Sequence, residues 1–146
     1  MKKIIIGSDH VGFKLKQEIK AYLDAAGYSY EDMGCASEES CDYPLYAEKV
    51  AEKVLKEEGI GILLCGTGIG MCISANKIDG IRAALCHNEY TAKMAREHND
   101  ANVLCMGGRV VDSAAAKKIT KTFLETPFSN DERHKRRVIQ IKNLEK

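Results

Sequence analysis

Residues 65–70, Cys-Gly-Thr-Gly-Ile-Gly, put a thiol, a hydroxyl and a run of flexible backbone within six positions. Gly66, Gly68 and Gly70 allow positive φ and close approach of a ligand, and amides that open a following helix are unpaired. Such a loop attracts anions. Cys65 adds reactivity, because a thiolate is a base or nucleophile and a thiol beside such a site can lose its proton more easily. Thr67 places a hydroxyl in the same small volume. The spacing is not G-x-G-x-x-G and no Gly-Lys-Ser/Thr follows, so neither the dinucleotide fingerprint nor a nucleotide P-loop is present.

Other residues of catalytic type recur along the chain. Asp9-His10 follows the first apolar run; alone, such a pair reads as a helix cap and a solvated histidine, but a shared edge with the glycine loop favours a site. Arg109 lies in a Gly-Gly-Arg turn. Arg133 and Arg137 stand at i and i+4 in a basic run, so on a helix they can close together on one phosphate dianion. Glu97-His98-Asn99-Asp100 ends a helical pattern before a strand, which would put His98 and Asn99 at the opposite edge of a sheet.

The elements that must position these residues follow from hydrophobic period. Residues 2–7, 28–33, 60–64, 81–86 and 102–106 read as strands, and the segments from Phe13 to Ala26, Pro44 to Glu58, the glycine loop to Lys77, Glu89 to Glu97 and Ser113 to Leu124 as helices. Strict alternation implies an open, doubly wound α/β domain of Rossmann-like type, with a five-stranded parallel sheet and ligands at the carboxyl ends of the strands. Residues 131–146 form a last, charged helix whose Val138, Ile139, Ile141 and Leu144 need a surface to pack on.

With 146 residues and 45% hydrophobic content the chain suits one domain. Lys plus Arg (22) nearly balance Asp plus Glu (21), so no global field is available to hold nucleic acid or an acidic membrane, and anion binding must be local. There is no secretory signal and no long apolar run. Six cysteines without a C-x-x-C pair fit reduced thiols in a cytoplasm rather than a disulfide framework, zinc ribbon or redox site, and the five besides Cys65 read as small apolar groups.

GSDHVGFKLK (7–16), DYP (42–44), CGTGIG (65–70), ANK (75–77), GIRAA (80–84), REHNDANVL (96–104), GGRVV (107–111) and RHKRRV (133–138) together resemble the type B ribose-5-phosphate isomerases, a family shared with the subunits of galactose-6-phosphate isomerase. The resemblance spans nearly the whole chain. It implies aldose-ketose isomerisation of a sugar phosphate through a cis-enediolate, with no metal and no organic cofactor. Cys65 would be the base, the amides of Gly66, Thr67, Gly68, Ile69 and Gly70 would hold the enediolate oxygen, and Thr67 would assist proton transfer. His98 and Asp9 would open the furanose ring, Asn99 and Tyr43 would hold the substrate, and His10, Arg109, Arg133 and Arg137 would take the phosphate. Some relatives use a glutamate just after the loop as base; Met71 stands there in this chain. The resemblance further implies a homodimer with shared active sites, the 131–146 helix at its interface. A six-carbon sugar phosphate as substrate, and a sugar-phosphate binding module without turnover, are the rival readings.

Overall fold

The computed structural model describes residues 1–145. Five parallel strands, β1 (Ile4–Ser8), β2 (Tyr30–Asp32), β3 (Ile60–Cys65), β4 (Ala83–Leu85) and β5 (Val103–Gly107), form one sheet in the order β2-β1-β3-β5-β4. Six helices accompany them: α1 (Phe13–Ala25), α2 (Tyr43–Glu57), α3 (Ile69–Ala75), α4 (Glu89–Asn99), α5 (Ser113–Glu125) and α6 (Glu132–Lys142). This is the open doubly wound α/β architecture expected from the alternating pattern. Chain order reverses between β1 and β3, and such a reversal opens a crevice at the carboxyl ends.

The central strands are buried on both faces, which is why they read as continuous apolar runs. Side chains alternate across the sheet. Ile4, Ile6, Ile62, Leu64, Leu104 and Met106 point into a core with Leu15, Ile19 and Leu23 of α1, Ala92 and Ala95 of α4, and Ile119 and Phe123 of α5. Ile5, Leu63, Cys65, Val103 and Cys105 point the other way, into a core with Val50 and Val54 of α2 and Met71 and Ala75 of α3. Each such large apolar side chain contributes about 1.5–3 kcal/mol by its burial. Cys65 is the last residue of β3 and lies on the α2–α3 side.

Local sequence explains the ends. Gly27, at φ +81°, follows α1, and Pro44 occupies the first turn of α2. Asn88 and Thr91 cap α4 reciprocally, while Asp112 and Asp131 cap α5 and α6.

Several boundaries differ from the expected ones. The first strand begins at Ile4 and extends to Ser8, and the second is confined to residues 30–32. The fourth is confined to residues 83–85, because side chains take the backbone groups that a longer ladder would use: Arg82 N–H donates to Asn102 Oδ1 and Ala83 N–H to Asn76 Oδ1, both at 2.8 Å. Helix α3 ends at Ala75 rather than Lys77, where the chain turns with Lys77 N–H donating to Ser74 O. Helix α4 runs two residues past Glu97, to Asn99. Helix α6 ends at Lys142, and residue 146 of the expected 131–146 helix lies outside the described residues.

Candidate active site

Backbone hydrogen bonds join the turns at the carboxyl edge into one surface. Asp9 N–H donates to Leu64 O at 3.1 Å, tying the turn after β1 to the end of β3. Gly108 N–H donates to Cys65 O (2.8 Å) and Arg109 N–H to Gly66 O (2.9 Å), tying the turn after β5 to the glycine loop. On the other side Ser8 N–H donates to Gly34 O and Cys35 N–H to Ser8 O, each at 2.8 Å. Four strand-to-helix turns thus share one rim.

Within the loop, Gly68 N–H donates to Cys65 Sγ at 3.1 Å. Gly68 adopts φ +83°, a conformation that side chains rarely allow, and turns the chain from this hydrogen bond into α3. The sulfur is buried on its core side, and the loop that follows carries the exposed Thr67, whose Oγ1 accepts from Ile69 N–H at 3.3 Å. Thiol, hydroxyl and loop amides occupy one small volume.

Asp9 is buried, and its Oδ1 accepts from Gly12 N–H at 2.8 Å, so one oxygen holds the turn that leads into α1. His10 is half-buried, and its Nδ1 accepts from Cys41 N–H at 3.3 Å. Tyr43 lies against the glycine loop: a methyl group on Gly70 would come within 2.5 Å of its ring and 3.0 Å of its hydroxyl. Arg109 is beside Gly66, where such a methyl would be 3.5 Å from Nη1. Asp9, His10, Tyr43, Cys65, Thr67, Gly66, Gly68, Ile69, Gly70 and Arg109 are therefore gathered on this edge of one chain.

His98, Asn99, Arg133 and Arg137 are not gathered with them. His98 and Asn99 end α4, and Asn99 lines a groove of about 570 Å³ bounded by Arg82 and Ala83 at the start of β4 and by Ile141 and Leu144 of the C-terminal segment. The expected conflict over their position is thus real within a single chain. Helix α6 packs on α4 through the His98 and His134 rings, whose centroids are 4.2 Å apart, and Ser129 N–H donates to Glu97 O. Arg96 clamps the same corner, donating to Asp100 Oδ1, Ala101 O and Thr126 O. His98, Asn99, Arg133 and Arg137 belong to one unit, with Arg133 and Arg137 exposed. Burial, with the nearby His98 and Arg133 charges, holds the His134 imidazole below its usual pKa.

Sequence reading also missed two supporting groups. Lys16 is fully buried and donates from Nζ to Asp32 Oδ1 at 2.8 Å and to Cys35 O. Its signal was present, because Lys16, Ile19 and Leu23 share one face of α1 by helical spacing. The backbone of Cys41 has no sequence signal. All six cysteines are free; Cys35, Cys86 and Cys105 are buried, as small apolar groups are, whereas Cys41 and Cys72 are half-exposed. The Cys105 thiol beside Cys72, outweighing burial, lowers the Cys72 pKa to about 7.

Among the described residues no group of three or more His, Cys, Asp or Glu side chains is arranged to hold a metal ion. No helix among them is long and apolar enough to cross a membrane.

The ribose/galactose isomerase family model matches residues 4–141. Ribose-5-phosphate isomerase B of Escherichia coli is 48% identical over 146 residues, covering 99% of this chain and 97% of its own. The solved type B ribose 5-phosphate isomerase of Trypanosoma brucei superposes with a TM-score of 0.95 at 49% identity, covering 99% of both chains. Ribose-5-phosphate isomerase B of Mycoplasma genitalium, solved with bound ribulose-5-phosphate, superposes with a TM-score of 0.93 at 42% identity, over 98% of this chain and 95% of that one.

Proposed function

The chain belongs to the ribose/galactose isomerase family, and we propose that it interconverts ribose 5-phosphate and ribulose 5-phosphate. The observation that carries the chemistry is the hydrogen bond from Gly68 N–H to Cys65 Sγ at the reversal point of the sheet. It fixes a sulfur among amides, which is the equipment for moving a proton next to a carbonyl.

Cys65 as thiolate removes the proton from C2 of the open-chain aldose, and the electron pair moves to give a cis-enediolate. The charge that develops on oxygen is held by the loop amides from Gly66 to Gly70. Thr67 relays a proton between the two oxygens, and the Cys65 thiol returns its proton to C1. No electron is gained or lost and no metal or organic cofactor is needed. Asp9, with Oδ1 engaged by Gly12, keeps its other oxygen for a sugar hydroxyl during ring opening. His10 and Arg109 take the phosphate and Tyr43 borders the sugar. Holding phosphate on side chains leaves the loop amides for charge that appears only during reaction.

The full site is shared between two copies. His98 assists ring opening, Asn99 holds the sugar, and Arg133 and Arg137 close on the phosphate, all from one protomer into the site of its partner. This is supported by their common location on the α4–α6 unit and by the exposed apolar side chains Ile139, Ile141 and Leu144, with Ile69 and Ile73 on α3. The helix over 131–146 then has a surface to cover, and the chain works as a single-domain subunit of a cytoplasmic homodimer. Neither nucleic acid nor membrane is a partner. Turnover measured across ribose, ribulose, galactose and allose phosphates tests substrate choice. Fastest conversion of ribose 5-phosphate is expected; preference for a six-carbon sugar would overturn it, as would tight binding without exchange of the C2 proton.

A further inference from the structure

His10 is held by a segment that the reaction does not use. Its Nδ1 accepts the Cys41 amide proton at 3.3 Å, with the Cys41 sulfur 4.0 Å from the same nitrogen. A ring nitrogen that accepts a backbone N–H carries no proton of its own, so the remaining proton of the neutral ring is on Nε2. The segment that supplies this amide is anchored at its other end. Cys35 N–H donates to Ser8 O, the Cys35 carbonyl accepts from Lys16 Nζ, and Lys16 is paired with Asp32 at 2.8 Å. The Cys35 sulfur donates to Ser37 O at 3.2 Å, a further tie within the segment.

We infer that residues 35–41, pinned by Lys16, position His10 as a fixed Nε2–H donor, so that it meets the substrate phosphate with one directed hydrogen bond. The inference rests on the reading of His10 as a phosphate ligand. Without the Cys41 amide a neutral imidazole exchanges between two tautomers and two ring orientations, and only a fraction of molecules offers a donor to the ligand. Fixing the tautomer in advance removes that loss from binding. Cys41 acts here through its backbone, so its side chain can vary while its N–H cannot. Lys16 acts on the same histidine from the far end of the segment.

Nitrogen-15 NMR of histidine-labelled protein at neutral pH tests this directly, with inorganic phosphate as the probe. One Nε2–H tautomer is expected for His10 in the free protein. A Nδ1–H tautomer, or an exchanging mixture, would overturn the inference. Cys41→Ala keeps the amide and is expected to keep the tautomer, whereas Cys41→Pro, which lacks the N–H, is expected to give a mixture and a several-fold higher KM with less change in kcat. An unchanged tautomer in the proline variant would count against the inference. Should that variant fail to fold, His10→Gln and His10→Asn replace it: glutamine places its amide near the Nε2 position and asparagine near Nδ1, so Gln is expected to bind phosphate more tightly than Asn. The reverse order would overturn the inference. Phosphate is expected to shift the Nε2–H resonance; a fixed Nε2–H tautomer that phosphate leaves unmoved would instead overturn the reading of His10 as a phosphate ligand.

Discussion

The amide of Gly68 donates to the sulfur of Cys65, 3.1 Å away, and Gly68 itself holds φ +83°. A side chain at this position would be strained by about 1–2 kcal/mol from backbone conformation alone. Its Cβ would also meet Leu85 Cδ1 at 2.5 Å and the Met106 carbonyl carbon at 2.9 Å. Gly68→Ala is therefore expected to move the amide off the sulfur. Loss of one aligned donor lowers kcat by roughly 10²–10³-fold, and steady-state kinetics with ribose 5-phosphate would show it. A variant with normal kcat would mean that the loop geometry is not used in the reaction.

Tyr43 and Gly70 form a second contact with a kinetic consequence. A Cβ at residue 70 would lie 2.5–3.0 Å from the Tyr43 ring and hydroxyl, so Gly70→Ala must displace the tyrosine from the rim. KM for the sugar phosphate is expected to rise in Gly70→Ala and in Tyr43→Ala alike. The double variant should be little worse than either single one, since both remove the same contact. Additive losses would mean that the two residues act separately.

Much of this arrangement is legible in the sequence. The strands at 60–64 and 102–106 and the helices at 13–26 and 113–124 stand out because their burial is uniform or strictly periodic. The thiol and glycines of residues 65–70 single out the candidate loop without any structure. What the pattern cannot give is contact across the fold. That Tyr43 lies on Gly70, that Cys41 N–H meets His10, and that Lys16 is buried against Cys35 O depend on how turns far apart in sequence are tied together. His98 shows the same limit from the other side. Its place at the end of α4 is evident from sequence, and within one chain that place is away from Cys65.

The proposed sharing of the site between two copies makes a prediction about mixtures. Cys65→Ala and His98→Ala homodimers should each be nearly inactive. Co-refolding them in equal amounts is expected to restore about one quarter of wild-type sites, since half of the dimers are mixed and each mixed dimer assembles one intact site. Activity that stays at the level of the separate variants would contradict completion of the site across the interface.

Lys16 and Asp32 govern stability at low pH. Burial pushes the Asp32 carboxyl up, but hydrogen bonds from Lys16, Lys20 and Gly34 N–H outweigh it and hold the folded-state pKa below 3.8. A carboxyl depressed on folding stabilises fully above its unfolded value, and that contribution is lost as pH falls through the folded one. Urea midpoints are thus expected to fall below pH ~3.8 in wild type, and to fall less in Asp32→Asn. Lys16→Ala leaves the buried Cys35 carbonyl without its partner, while Asp32 keeps Lys20 and the Gly34 amide, and should cost about 1–3 kcal/mol at neutral pH.

Proton transfer through Cys65 is the centre of the account, and Cys65→Ala tests it most directly. The variant is incubated with ribose 5-phosphate in deuterated buffer, following both ketose formation and exchange of the C2 proton. Both are expected to drop by roughly 10²–10⁴-fold, with binding of the sugar phosphate retained. Near-normal turnover, or C2 exchange at the wild-type rate, would show that another group is the base.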